Sequence, residues 1–324
     1  MAAAAGVSVA TVSKAVNGRY GVRGETAAHV LRVAEELGYS SSLGASSMRS
    51  TRTGVVGVFV AAFEPFSTEV LKGIGVALEG RSYELLAYSS LTGRDGEGWE
   101  RRSLSRLAGT LDGAILVAPT VVDLPVPMPL LAIDPHTGPG GLPTVESDSY
   151  GGARLATEHL LGLGHRRIAF VSGRADLRSS VRRAAGYRQA LEDAGVPFDP
   201  DLVQVGDYEL RTSREAATAL LSRPDRPTAV FAANDLSAIA TVQVALGMGL
   251  SVPGDLSVVG FDDIPEAARA DPPLTTVRQS MQQLGNEAVA MLVALMGKQE
   301  LRVPHVSLAT RLLERRTTAP PRGA

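Results

Sequence analysis

The sequence predicts an α/β fold: two lobes of parallel sheet, preceded by a small all-helical module. Three observations lead there. From Val55 onward, short apolar runs alternate with helical stretches, and they do so in two successive series. Alternation of that kind argues for parallel strands covered on both faces. Ahead of Val55 the pattern is helical and the balance of charge is basic. A chain of 324 residues, 44% of them hydrophobic, suits two or three compact units with sizeable cores.

The amino-terminal stretch Val7–Gly18, VSVATVSKAVNG, reads as the second half of a helix-turn-helix. Gly6 and Val7 make the turn, and Ser8 caps the following helix by accepting from its free N–H groups. Val9, Val12 and Val16 recur at helical spacing and are expected to face inward. Ala10, Ser13, Lys14 and Asn17 then lie on the other side, and Gly18 ends the helix. A small exposed face beside a basic residue suits a reader of the major groove. An ordinary surface helix fits the spacing equally well. Glu25–Gly38 reads as a further helix with Val30, Leu31, Ala34 and Leu37 as its apolar stripe. Ser40–Thr53, SSSLGASSMRSTRT, reads as a polar linker with helical potential.

Behind the linker, residues 55–61, 83–89, 113–118 and 130–134 are expected as buried strands, with helices at about 66–80 and 96–108. A second series puts strands at 167–173, 203–208, 228–234 and 256–262, separated by helices at about 150–163, 179–195, 213–222 and 235–248. The segment AVAMLVALM, Ala288 to Met296, is apolar on every face. Either one lobe buries it all round or one side meets a partner subunit. The tail from Glu314 lacks leucine heptads, which argues against a tetramer-forming coiled coil.

Ligands of parallel α/β sheets bind beyond the carboxyl ends of the strands. Asp134, Asn234 with Asp235, and Asp262 with Asp263 stand at such ends. Asp262 is the choice for a ligand, with Asp263 left to the loop and Asp235 to capping the next helix. Asp148 fits a cap for the helix at Tyr150.

The segment GVSVATVSKAVNGRYGV, followed by ETAAHVLRVAEELGY, resembles the DNA-binding headpiece of the LacI/GalR family of transcriptional regulators. VRRAAGYRQAL, FAANDLSAIA and GFDDIPEA are similar to segments of the family's core. The resemblance implies a periplasmic-binding-protein-like core of two lobes. It implies a homodimeric repressor or activator of operator DNA, controlled by a small effector. DNA contact then falls to Ser8, Val9, Ala10, Thr11, Ser13, Lys14 and Asn17, with Val9 and Ala10 setting base preference. In a hinge helix, Ala45 and Met48 would supply the minor-groove wedge. Arg183 would face the cleft and grip a carboxylate or a pair of hydroxyls with its planar fork. Phe66 and Tyr208 would supply flat walls, and Asp134, Asn234 and Asp262 would meet hydroxyls. The set suits a sugar or another small polyol, with a carboxylate or a nucleobase as the second choice.

The expected domains are a headpiece over 1–39, a hinge over 40–53 and a core over 54–324. The N-lobe takes about 54–148 and 278–304, the C-lobe about 149–277 and 305–318, with crossings near 147–150, 275–280 and 303–306. Met1–Ala5 amounts to about 7.5 Å of helix, too short to be stable alone. The headpiece is therefore expected with its first helix truncated, either by nature or by a late start.

Residues 1–53 carry a charge of +3 and the remainder −5, a basic arm on an acidic body. There is no cysteine, so neither a disulfide framework nor a thiolate zinc site is available. Histidines 29, 136, 159, 165 and 305 show no metal spacing, and no cofactor is implied. Neither a signal peptide nor a membrane span is legible, so the chain reads as cytoplasmic with no membrane partner. The run after the first strand, AAFEPFSTEV, lacks a phosphate loop, and no triad signature occurs, so catalysis is not expected. The rival to a regulator is a solute-binding or sensor protein of the same core without DNA binding.

Overall fold

The computed structural model describes residues 1–16, 20–37, 52–89, 98–138 and 140–322. Asn17, Gly18, Ala45 and Met48, and nearly all of the expected hinge, lie outside the described residues.

The chain divides into an amino-terminal unit and a large unit that runs on from Gly54. In the first, hydrogen-bonded turns over residues 1–7 lead into α1 (Val9–Val16), and α2 (Gly24–Glu36) follows. Ala5, Ala15, Val30 and Val33 form its small core, with Val7, Val12, Val16 and Val22 packed around them. This corrects two expectations. Val9 is 76% exposed, and Ala15 takes the inward position instead. In α2 the buried stripe is Val30, Val33 and Ala34, while Leu31 and Leu37 are exposed. The positions three and four residues apart that face α2 are 12, 15 and 16, so the first-turn valine is left outside.

The large unit holds two six-stranded sheets. The first lobe contains β1 (Val55–Val60), α3 (Pro65–Leu78), β2 (Glu84–Ser89), α4 (Trp99–Leu107), β3 (Gly113–Val117), β4 (Leu130–Ile133) and β5 (Thr144–Ser147). The chain then crosses to the second lobe: α5 (Ser149–Gly162), β6 (Ile168–Ser172), α6 (Arg178–Asp193), β7 (Val203–Val205), α7 (Leu210–Leu221), β8 (Ala229–Ala232), α8 (Asp235–Gly247), β9 (Ser257–Asp262), α9 (Pro265–Arg269) and β10 (Thr275–Arg278). It returns for α10 (Met281–Met296) and β11 (His305–Leu308), and crosses again for β12 (Arg311–Leu313). The strand orders are β11-β5-β4-β3-β1-β2 and β12-β10-β9-β8-β6-β7. Every pairing is parallel except that of β12 with β10.

The third crossing thus falls between Leu308 and Arg311, not near 303–306. His305–Leu308 runs parallel to β5 and stays in the first lobe. Only after two connecting residues does the chain pair with β10.

Strands of this kind are apolar on both faces, which is why they read as continuous runs. In the second lobe the period of two splits them cleanly. Ala169, Val171, Val230, Ala232 and Val258 face one layer, and Ile168, Phe170, Phe231, Val259 and Phe261 the other. On that second side Phe170 stacks on Tyr187 of α6 with ring centroids 5.1 Å apart. The apolar helix α10 is buried within the first lobe, against α3 and the sheet, through Ala288, Val289, Met291, Leu292 and Met296. Gly73 of α3 and Gly285 of α10 let the two helices approach backbone to backbone.

Among the described residues, no helix is long and apolar enough to cross a membrane.

Candidate functional site

In the amino-terminal unit the candidate site is the outer face of α1. Ser8 Oγ accepts from the Thr11 N–H at 3.1 Å and lies 2.9 Å from the Thr11 hydroxyl, so Ser8 caps the helix. Ser8, Val9, Ala10 and Lys14 are exposed, and Thr11 and Ser13 half-buried. The result is a small apolar and hydroxyl surface with one ammonium at its rim.

In the large unit the site is a cleft between the carboxyl ends of the two sheets. One cavity is lined together by Phe66, Asp134, Arg183, Tyr208, Asn234 and Asp262. Each arrives from a different element. Phe66 sits at the start of α3, Asp134 follows β4, and Arg183 projects from α6. Tyr208 follows β7, Asn234 follows β8, and Asp262 ends β9. The strand-end rule places Asp134, Asn234 and Asp262 without further help.

Arg183 is 5% exposed. One terminal nitrogen donates to the Ala233 carbonyl at 2.5 Å and lies 3.6 Å from Asp262 Oδ1. The guanidinium carbon lies 3.7 Å from the centroid of the Phe261 ring, a cation–π stack. Its Nε is buried without a hydrogen-bond partner. Asp262 Oδ1 accepts from Gln279 Nε2 at 2.6 Å, while Gln279 Oε1 is also buried and unpartnered. Buried polar groups are normally paired. Arg183 and Gln279 both line the one cavity, and each holds a buried polar atom without a partner.

The backbone carries the same signal. Seven described non-glycine residues have positive φ, and six of them border the cleft or its loops: Ala118, Asp134, Asp207, Tyr208, Asp262 and Asp263. The seventh is Lys298. Such conformations cost of order 1–3 kcal/mol each and gather where a site is held in shape.

Two roles differ from expectation. Asn234, not Asp235, caps α8: its Oδ1 accepts from Ser237 N at 2.9 Å, and its Nδ2 reaches the Tyr208 carbonyl at 3.4 Å. Asp235 is buried and instead accepts from Ile264 N at 2.9 Å and the Thr276 hydroxyl at 2.5 Å, fixing the turn after β9. Asp263 anchors that turn through Arg278 and Arg315, each at 2.5 Å. Asp148 caps α5 by accepting from Gly151 N at 2.9 Å. Sequence reasoning missed Gln279, Glu64 and His136, which also line the cavity. Gln279 stands just past β10, on the second crossing, where a polar residue after an apolar strand was a usable signal.

Desolvation pushes the Asp134 carboxyl up to about 7, against a hydrogen bond from Ser147 N and the charge of Arg183. It pushes Asp262 up to about 6, opposed by Arg183 and Gln279. Burial drives His136 down to about 4. A carboxyl whose folded pKa exceeds its unfolded value near 3.9 binds more protons in the folded chain, so stability is lost as pH rises from about 4 through about 7. Asp134→Asn keeps the acceptor for Ser147 N, and asparagine tolerates φ of 46°. This variant is expected to melt higher than the wild type at pH 8, with the difference vanishing near pH 4, measured by differential scanning calorimetry.

A second prediction concerns Gly173, which follows β6. A Cβ there would lie 2.2 Å from the Tyr208 ring. That ring can swing away, so Gly173→Ala is expected to cost little stability yet weaken ligand binding about tenfold by moving one wall of the site. Melting temperature and calorimetric affinity together check it.

Residues 1–42 match the model described as bacterial regulatory proteins, lacI family, and residues 157–318 match a periplasmic binding protein-like domain. The HTH-type transcriptional regulator CelR of Thermobifida fusca is 36% identical over 308 residues, covering 90% of this chain and 89% of that protein. The chain belongs to the lacI family of bacterial regulatory proteins. It is a transcriptional regulator with a helix-turn-helix DNA-binding module. The ribose operon repressor of Escherichia coli K12 is 32% identical to the regulator over 322 residues, 96% of each chain. Among solved structures, a CelR–cellobiose complex shares 34% identity with a TM-score of 0.74 over 98% of both chains. The lac repressor dimer bound to operator and the anti-inducer ONPF shares 25% identity with a TM-score of 0.82, covering 98% of this chain and 97% of that one.

Proposed function

We propose that the regulator is a homodimeric repressor that reads operator DNA through α1 and releases or tightens it when a neutral sugar fills the cleft. The observation that carries the ligand reading is the pair of open hydrogen-bonding atoms, Arg183 Nε and Gln279 Oε1, beside the Asp262 carboxylate. A planar cation next to a carboxylate gives donors and acceptors at fixed spacing, which is what vicinal hydroxyls need. Net charge decides between ligand classes. Glu64, Asp134 and Asp262 face a single arginine in this cavity, so a carboxylate or phosphate ligand would meet more repulsion than attraction. That favours the polyol over the anionic second choice. The CelR–cellobiose complex and a LacI family regulator of Enterococcus faecium with bound ribose support the same class, and the lac repressor dimer supports the assembly.

The contacts assigned to DNA are Ser8, Val9, Ala10, Thr11, Ser13, Lys14 and Asn17, with Lys14 on phosphate and Val9 and Ala10 against base edges or thymine methyls. The hinge residues Ala45 and Met48 are assigned to the minor groove. Lys14→Ala is expected to weaken binding similarly on all sequences and to lower the slope of log affinity against log salt by about 0.9 per protomer. Anisotropy titrations at several salt concentrations measure that slope. The ligand half is tested by calorimetry of the full chain with neutral sugars and with their phosphates and acids. Binding of the neutral members alone is expected; tighter binding of an anionic member contradicts the assignment.

A further inference from the structure

The cleft has two chambers. The inner one, about 140 Å³, holds Arg183, Asp262, Asp134 and Asn234. The outer one, about 670 Å³, is formed by the loops that follow β1, β3, β6 and β7. Glu64, Phe66, Ala118, His136, Leu177 and Tyr208 line both, so the two chambers adjoin. Pockets for small molecules run about 300–1,000 Å³. The inner chamber falls below that range, and the outer chamber lies within it.

We propose that the regulator's effector is a sugar of at least two rings, with one ring in the inner chamber and the next in the outer. This rests on the neutral-sugar reading above. Three features of the outer chamber carry it. Thr120 is fixed by Glu100, whose Oε1 accepts from both the Thr120 N–H and its hydroxyl at 2.8 Å. With its proton committed, the Thr120 oxygen is left as an acceptor at the chamber wall. His136, at the junction, has a buried Nδ1 with no partner. Burial keeps that ring neutral, so one ring nitrogen donates and the other accepts. Asp207 and Tyr208 are consecutive residues with φ of 54° and 63°. That strained turn puts a carboxylate on the outer chamber and an aromatic ring on both. Polar groups interleaved with flat apolar walls recognise the edges and faces of sugar rings.

Trp99 lines the outer chamber and not the inner one, and it is the only tryptophan in the chain. Its emission therefore reports on the second ring. The full-length regulator is titrated with glucose, cellobiose, maltose, xylose and xylobiose, following Trp99 fluorescence and calorimetric heat. At least one disaccharide is expected to bind at least about tenfold tighter than its monosaccharide and to shift the emission. Ala62→Phe, which fills the outer chamber, is expected to bring that disaccharide down to the affinity of its monosaccharide and leave the monosaccharide unchanged. Val121→Phe is a second block should the first fail to fold. Equal affinity for one and two rings, or blocks without effect on the disaccharide, would overturn the outer subsite and leave the neutral-sugar reading standing. Failure of every neutral sugar to bind would remove that reading, and the subsite with it.

Discussion

Arg183→Ala is expected to abolish the effector response while operator binding persists. The side chain stacks on Phe261, donates to the Ala233 carbonyl and stands 3.6 Å from Asp262. Its loss removes charge-assisted hydrogen bonds worth about 1.5–3 kcal/mol each. At about 1.4 kcal/mol per tenfold, two such bonds lower ligand affinity by roughly hundredfold or more. The stability cost is smaller than the about 3–5 kcal/mol usual for a broken buried pair. Asp262 already sits at about 6 and, without the guanidinium, escapes by taking up a proton. Arg183→Lys keeps the charge but loses the fork and the planar stack, and it is expected to recover only a small part of the affinity. Calorimetry with the sugar and anisotropy with the operator separate the two effects.

Gly73→Ala is expected to be the more damaging change for the fold. A Cβ at residue 73 would lie 2.0 Å from the Gln282 carbonyl oxygen and 2.6 Å from that residue's backbone carbons. No side chain can move aside, so α3 and α10 must separate. Gly285 is the reciprocal contact, with its Cβ placed 2.4 Å from the Val70 carbonyl oxygen. Overpacking typically costs about 1–3 kcal/mol, and a backbone clash belongs at the upper end. At about 2–4 °C per kcal/mol for domains of this size, the melting temperature should fall by roughly 6–12 °C. Gly173→Ala makes an informative contrast, because the atoms met there are the mobile end of a tyrosine.

Much of the core was legible because parallel strands buried on both faces leave contiguous apolar runs such as VVGVFV and SVVGFD. Polar residues that end such runs then fall at the cleft, which is how Asp134, Asn234 and Asp262 could be named. Arg183, Phe66 and Tyr208 needed the resemblance, since nothing in their helix or loop spacing points inward. The strands that escape, TVES, TTVR, HVSL and RLL, have three or four residues and little apolar run, and without HVSL the third crossing falls in the wrong place. The exchange between Asn234 and Asp235 was invisible because both are capping residues. What separates them is their partners, Ser237 N for Asn234 against Ile264 N and the Thr276 hydroxyl for Asp235. A valine outweighs an alanine in an apolar pattern, which points Val9 inward, whereas the fold packs the small Ala15 there.

The account depends on coupling between cleft and operator, and one measurement tests it directly. An operator duplex selected by the full-length regulator from random DNA is titrated by anisotropy with and without a saturating neutral sugar that calorimetry shows to bind. The account predicts a change in operator affinity of about five- to 150-fold, the usual range of such coupling, and the same factor in sugar affinity when operator is present. Arg183→Ala should show neither shift. A sugar that occupies the cleft of the wild type and leaves both affinities unchanged would contradict the account.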